Sequence, residues 1–408
     1  MVFFWIMAIA VEVFQGLVES NETARVQAER FPKKRFVFGE IFFPGRAFVG
    51  IAGQRGIGKT TLLKQRLKES KHSFYVSLDT FSSLDLFELA RELKERYGIT
   101  ELLLDEINYC KDWQQGLKKV FDSLEMRVFF TSSVAIEVIQ SKADLSRRVI
   151  IKKMHPFSFR EFVAFYKNES IEKLSVEDLG NEKKLQQISR FDFLFEEYVS
   201  GGLVPAYLEE KNPAVFSNIL ERIIERDLVF SLNFDGKDIA NAKTMLEYIA
   251  NAGIDDASYS SIAKNVGITK YKAMHYVDSL EKAFVLNPVK PFGTNVLKEP
   301  KILFVPPFRL CYLKNKDWMA NLGVFREEFF VESMKISGFE TYYLKGKRGE
   351  KKPDYLAILN AKRFVFEIGG AKKSRVQLSA VREKNKFILT YPANNKNPYR
   401  PLLFTGFL

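Results

Sequence analysis

The chain reads as an α/β protein built on a parallel sheet with crossover helices, and three observations lead there. Between about residues 35 and 152, strand-like apolar runs alternate with amphipathic helical ones. The first of those runs ends in a glycine-rich turn that opens a helix with Leu62, Leu63 and Leu67 on one face. The tail has a different texture: residues 290–408 carry 23 Lys and Arg against 10 Asp and Glu, in a chain whose formal net charge is +12.

Residues 47–52 form the first buried strand and 73–78 the second. A helix follows over 84–97, then a third strand at 101–105, a helix over 113–124, a fourth strand at 127–131 and a fifth at 149–152. Beyond Pro156 the chain turns helical and rich in Phe, Glu and Lys, with a break at 200–205. Three short helices and an extended pair are expected over 244–292, and a long helix over 326–336 precedes short strands at the end. The opening stretch 2–11 is strongly apolar but is cut short by Glu12 and lacks a basic leader. A segment packed on the body of the protein is expected there, and a membrane partner is not.

At 408 residues the chain has room for two to four domains. Its 46% hydrophobic and 27% charged residues fit a globular protein with ample core. Two cysteines, Cys110 and Cys311, supply neither a disulfide framework nor a zinc site, which suits a reducing cytoplasm. Three scattered histidines argue against a His-rich metal centre. The basic tail is the electrostatic footprint of a surface meeting phosphates, or a lysine-rich solvated face.

Residues 53–60, GQRGIGKT, match the phosphate-binding pattern G-x-x-x-x-G-K-[ST] at every fixed position. Gly53, Gly56 and Gly58 let the backbone curl its N–H groups toward phosphate oxygens. Gln54, Arg55, Ile57 and Thr61 complete the cradle. Lys59 brings a point charge to the β- and γ-phosphates, Thr60 a hydroxyl for Mg²⁺, and the helix starting there turns its positive end to the anion.

Asp105 and Glu106 end the third strand. A carboxylate at the tip of a buried strand costs several kcal/mol to desolvate, roughly, unless something compensates it. Beside a magnesium–nucleotide, Asp105 would hold the metal and Glu106 would orient and deprotonate the attacking water. The cluster Thr131, Ser132 and Ser133 ends a strand expected to lie between the other two. Ser132 is the favoured member to contact the γ-phosphate or that water. Arg148, just before the last strand, is either a neutraliser of transition-state charge or an ordinary surface arginine.

GQRGIGKTTLLKQ, LLLDEINY, Trp113, FFTSS and HPFSFREF together resemble the AAA+-like ATPases of archaea and bacteria that carry a winged helix and a restriction-endonuclease-like domain of the PD-(D/E)XK type. The stretch 200–207 and Glu225, Arg226 and Asp227 resemble that family's lid. After the apolar N-terminal segment (1–34), the resemblance implies a P-loop ATPase core (35–165), a helical lid (166–240), a winged helix (241–293) and a basic nuclease-like domain (294–408). ATP as the nucleotide rests on the resemblance. Within the winged helix, Lys270 and Lys272 stand near the start of the second helix, where they could meet DNA.

In the C-terminal domain the resemblance gives Asp354 and Glu367 as an acidic pair for a second divalent metal, with Glu328 on the preceding helix. Gly369 stands where a lysine is expected, and Lys372 or Lys373 would have to reach back to replace it. That domain is therefore read as degenerate, kept for binding or assembly. The function expected is a Mg²⁺-dependent ATPase coupling nucleotide state to domain movement, with DNA, a protein partner or further copies of the chain open as partners. The alternatives are a nucleotide-controlled switch without turnover and an ATP-gated nuclease.

Overall fold

The structure is a computed structural model that describes residues 9–133, 145, 147–293, 299–344, 352–371, 373, 374, 376–379, 381–393 and 399–408. The chain divides into two compact units, Met1–Met154 and His155–Leu408.

The first unit contains a parallel sheet of β1 (Phe48–Ala52), β2 (Ser73–Ser77), β3 (Glu101–Asp105), β4 (Arg127–Ser132) and β5 (Val149–Lys153), in the order β2-β3-β4-β1-β5. Every pairing is parallel. Continuous apolar runs such as Leu102, Leu103 and Leu104 form it because both faces are covered. Gly50, in the middle of β1, leaves room for Phe130 and Ile151; a Cβ there would stand 2.8 and 2.7 Å from their side chains.

Helices Lys59–Glu69, Leu86–Tyr97 and Trp113–Ser123 lie between the strands in sequence. Asp85 caps the second by accepting from the N–H groups of Phe87 and Glu88, and Gly98 ends it at φ 64°. β4 separates β3 from β1, as expected from sequence, so the carboxyl ends of all three gather at one rim. That rim is where open α/β sheets bind ligands.

Residues 1–8, which hold most of the apolar opening, lie outside the described residues. Next to them, helix Val11–Gln27 packs on the first unit. Arg25 donates to the carbonyls of Leu67 (2.7 Å) and Ser70 (3.3 Å) at the end of helix Lys59–Glu69 and to Ser73 O (3.0 Å). Asn21 Oδ1 accepts the N–H of Tyr75 (3.0 Å) on β2, the edge strand among the described residues. Among the described residues no helix is long and apolar enough to cross a membrane.

In the second unit, helices Gly236–Asn251, Tyr259–Val266 and Lys270–Lys282 precede an antiparallel pair, β6 (Leu286–Val289) with β7 (Lys301–Phe304). These elements share one core of Met245, Leu246, Ile262, Tyr276, Val277 and Phe304. A mixed sheet follows: β8 (Glu340–Tyr343), β9 (Tyr355–Leu359), β10 (Lys362–Gly369), β11 (Lys386–Thr390) and β12 (Tyr399–Pro401), ordered β12-β11-β10-β9-β8. Helix Trp318–Ile336 packs on it.

The helical stretch after Pro156 shares its core with this sheet. Phe159 meets Phe329 and Phe407 edge-on, at 6.2 and 5.5 Å between ring centres. Helix Phe159–Tyr166 therefore lies in the second unit, and it is the stretch with which the resemblance ends the 35–165 core.

Candidate functional site

β1 runs directly into the glycine loop, and helix Lys59–Glu69 begins at Lys59. Gly56 and Gly58 hold φ of 85° and 90°, the left-handed region that glycine enters at no steric cost. Gly53 is required for a different reason: a Cβ would stand 2.3 Å from Met154 O. The loop is braced from outside by Arg35, buried, whose Nη1 donates to Ile57 O at 2.8 Å.

The Lys59 ammonium, buried, donates to the carbonyls of Gly53 (2.8 Å) and Gln54 (3.0 Å), which keeps it over the loop. Gln54 is 1% exposed, and among the described residues neither polar atom of its amide has a hydrogen-bond partner.

Three hydroxyls converge on the buried Asp105 carboxylate. Thr60 Oγ1 donates to Oδ2 at 2.7 Å, Tyr75 Oη donates to the same oxygen at 2.9 Å, and Thr131 Oγ1 makes a short bond to Oδ1. Burial, and then the Asp105 charge, push the Tyr75 phenol far above its ordinary pKa, so it stays a donor. Thr131 Oγ1 also accepts the Glu106 N–H at 2.9 Å. Glu106 has a left-handed backbone, φ 52° and ψ 54°, and its Oε1 lies 4.0 Å from Arg55 Nη1. Arg55 in turn donates to Tyr109 Oη at 3.2 Å.

The site thus unites Lys59, Thr60, Asp105 and Glu106 with Arg55. Ser132 is fully buried at the tip of β4 and its hydroxyl donates to Asn108 Oδ1 at 3.3 Å. Its neighbour Thr131, not favoured from sequence, is the one that touches both carboxylate residues. Arg148 does not join them. It stands at the start of β5, beside Phe48 at the start of β1, while the loop follows the end of β1. Its guanidinium makes a bidentate pair with Asp122 at 2.9 and 3.0 Å. Tyr75 and Arg35 were missed because an aromatic in a strand and an isolated arginine read as core and surface.

These donors fit the groups expected of them. A hydroxyl and a carboxylate 2.7 Å apart are hard oxygen ligands of the kind Mg²⁺ takes while keeping several waters. A loop with two left-handed glycines and a buried lysine fits a polyphosphate.

The second unit holds another cluster. Lys373 Nζ lies 2.9 Å from Glu367 Oε1 and 3.7 Å from Asp354 Oδ2. Asp354 Oδ2 also accepts the Ile368 N–H at 2.8 Å. Burial, and then the Asp354 charge, raise the Glu367 carboxyl to about 7 against the pull of Lys373. Gly369 makes this possible: a Cβ there would stand 2.5 Å from Lys373 Cδ, so the lysine stem lies where a side chain at 369 would be. Lys372 lies outside the described residues.

Glu328 is not part of this group. It is buried against Arg309 Nε (2.7 Å) and the Phe304 N–H (2.8 Å). Its neighbour Glu327 faces the cluster instead, accepting from Tyr355 Oη and lying 3.8 Å from Lys301. Among the described residues no group of three or more His, Cys, Asp or Glu is arranged to hold a metal ion.

Lys270 and Lys272 are both engaged, the first with Glu299 and the second with Asp238 at 3.3 Å. Tyr271, 80% exposed, and the exposed Met274 lie between and beside them.

The sheet order, the glycine loop on β1 and the Asp–Glu end of β3 define a P-loop nucleotide-binding protein, and residues 45–163 match the family described as AAA domain. Residues 192–320 match a second family, described only as a domain of unknown function. The uncharacterized protein MJ1637 of Methanocaldococcus jannaschii is 32% identical over 373 residues, covering 82% of this chain and 78% of that one. The chain belongs to the family of that archaeal protein, and its AAA domain match runs from the first unit into helix Phe159–Tyr166.

Solved structures that align include the RuvB Holliday junction branch migration motor of Thermotoga maritima, at 15% identity, 69% of this chain, 90% of that one and a TM-score of 0.25. The Hsp104–ADP complex of S. cerevisiae aligns at 14% identity, 64% of this chain, 39% of that one and a TM-score of 0.28.

Proposed function

We propose that this protein is a Mg²⁺-dependent ATPase whose nucleotide state moves the elements of its second unit, with DNA as the partner. The observation that carries the reading is the Thr60 hydroxyl on Asp105 at 2.7 Å, with Glu106 as the next residue. Residues Gly53 to Thr61 would cradle the phosphates, Lys59 would neutralise the β- and γ-oxygens, and Thr60 with Asp105 would hold the metal. Bound Mg²⁺ supplies charge neutralisation on the transferring phosphoryl group. Glu106, its backbone fixed by Thr131, takes the proton of the attacking water. Ser132 and Asn108 orient that water or the γ-phosphate.

Steady-state hydrolysis by wild type, Lys59→Ala and Glu106→Gln tests this. Wild type should turn over, and Glu106→Gln should lose about 10²–10⁴-fold in rate, the usual contribution of a general base. Equal rates in wild type and Glu106→Gln would sink the assignment.

The helices Gly236–Asn251, Tyr259–Val266 and Lys270–Lys282 with the β6–β7 pair support the winged-helix reading. The 13 excess positive charges of residues 290–408 support a DNA surface.

A second reading is favoured by one observation, Lys373 filling the space over Gly369 and standing between Asp354 and Glu367. An acidic pair with a lysine is a set suited to metal-dependent phosphodiester cleavage, so the nuclease-like domain would be active and not degenerate. Cutting of duplex or single-stranded DNA by wild type with Mg²⁺ or Mn²⁺, abolished in both Lys373→Ala and Glu367→Ala, is the result expected. Absence of cutting on all substrates returns the domain to a binding role.

A further inference from the structure

Helix Val11–Gln27 is joined to the nucleotide site by a short chain of side-chain contacts. Asn21, buried on that helix, accepts the N–H of Tyr75 at 3.0 Å. The hydroxyl of the same tyrosine donates to Asp105 Oδ2 at 2.9 Å, the oxygen that also takes the Thr60 hydroxyl. A parallel path runs beside it. Gln27 Oε1 accepts from Lys64 Nζ at 2.6 Å, and that ammonium lies 5.5 Å over the Tyr75 ring. Arg25 fixes the first residue of β2 through Ser73 O.

We propose that helix Val11–Gln27 sets the magnesium affinity of the nucleotide site through Tyr75. Asn21 fixes β2 at Tyr75, and the Tyr75 hydroxyl fixes the orientation of the Asp105 carboxylate. This rests on the reading of Thr60 and Asp105 as the metal-holding pair.

The physical case is one of orientation. Asp105 must present its oxygens in one direction, and Thr60 can go on donating its proton to the carboxylate while an oxygen lone pair serves a metal. Tyr75 and Thr131 share that task from two other elements, β2 and β4. Hydrogen-bonding partners behind a metal ligand typically contribute about 10–100-fold to metal affinity. Tyr75 is well suited because its ring is buried and its backbone is tied to a second element. Movement of the helix would be read at Asp105, so the helix is a lever on the site as well as a cover for the sheet edge. Tyr75 and Asn21 are positioning residues.

The test is equilibrium binding of a fluorescent ATP analogue to full-length wild type, Tyr75→Phe and Asn21→Leu, titrated with Mg²⁺ and repeated in EDTA. Tyr75→Phe keeps the ring and should raise the half-saturating Mg²⁺ concentration about tenfold. Asn21→Leu should shift it in the same direction by less, and affinity in EDTA should be unchanged in both.

Parallel losses with and without Mg²⁺ would assign both residues to fold stability alone and overturn the proposal. An unshifted Mg²⁺ midpoint in Tyr75→Phe would also overturn it. The readout is binding, so a wild type that binds nucleotide without hydrolysing it defeats the ATPase reading and leaves this inference standing. A wild type that binds no nucleotide defeats both.

Discussion

Glu106 holds a left-handed backbone that costs a residue with a Cβ about 1–2 kcal/mol, and Thr131 holds it there by accepting its N–H. The same hydroxyl donates to Asp105, so one side chain serves both halves of the acidic pair. Thr131→Val keeps the shape and removes both bonds. A loss of about 1–3 kcal/mol is expected in the denaturant-induced unfolding of the first unit, with turnover falling as Glu106 is released. Unchanged unfolding would show that the two bonds are not needed.

Sequence pattern reached Asp105 and Glu106 because a charge ending an apolar run needs a reason. It chose Ser132 over Thr131 because the choice depends on which face of β4 each residue takes, and only the register with its neighbours sets that.

Glu367 offers a pH test at the same scale. Its folded pKa of about 7 lies above the ordinary 4.5, so the native state holds the extra proton between those values. Its contribution to stability is full below about pH 4.5 and is lost as pH rises through about 7. Across that window the melting temperature of wild type should fall relative to Glu367→Gln. A constant difference between the two would contradict the assignment.

At the scale of elements, helix Trp318–Ile336 is tied to β7 and to helix Gly236–Asn251 through a buried ion pair. Arg309 and Glu328 are 2% and 1% exposed at the side chain. Arg309 also donates to Ile249 O and Ala250 O at the end of the other helix. Arg309→Met leaves Glu328 buried without its cation, at a cost of about 3–5 kcal/mol. The double variant Arg309→Met, Glu328→Leu should recover much of it in the same unfolding measurement. No recovery would mean that the backbone contacts of Arg309 dominate.

The strands of the first unit were legible to within about a residue, since each is an apolar run ended by a turn. Helix Trp318–Ile336 was read from residue 326 only. Asn321 and Gly323 look like breakers, yet the Asp317 cap and the stacking of Trp318 on Phe325 carry the helix through them. Lys373 was legible only as a chance, because its role depends on the bare Cα of Gly369 four residues earlier.

For the whole molecule, charge is the property that sequence states most directly and structure qualifies. The basic excess lies in residues 290–408, whereas the two lysines expected to meet DNA, at the start of helix Lys270–Lys282, are held by carboxylates. DNA affinity should therefore fall steeply with salt, by an exponent near −0.9 for each phosphate neutralised. Lys270→Ala and Lys272→Ala should change that slope little. A flat response would assign the positive charge to another purpose.

Glu106 is proposed to act on water in a site that binds ATP without it. The most direct measurement is to load wild type and Glu106→Gln with Mg²⁺-ATP, remove free nucleotide and identify what each protein holds. Wild type should retain ADP and the variant intact ATP. The same nucleotide on both, or none on the variant, would contradict the account.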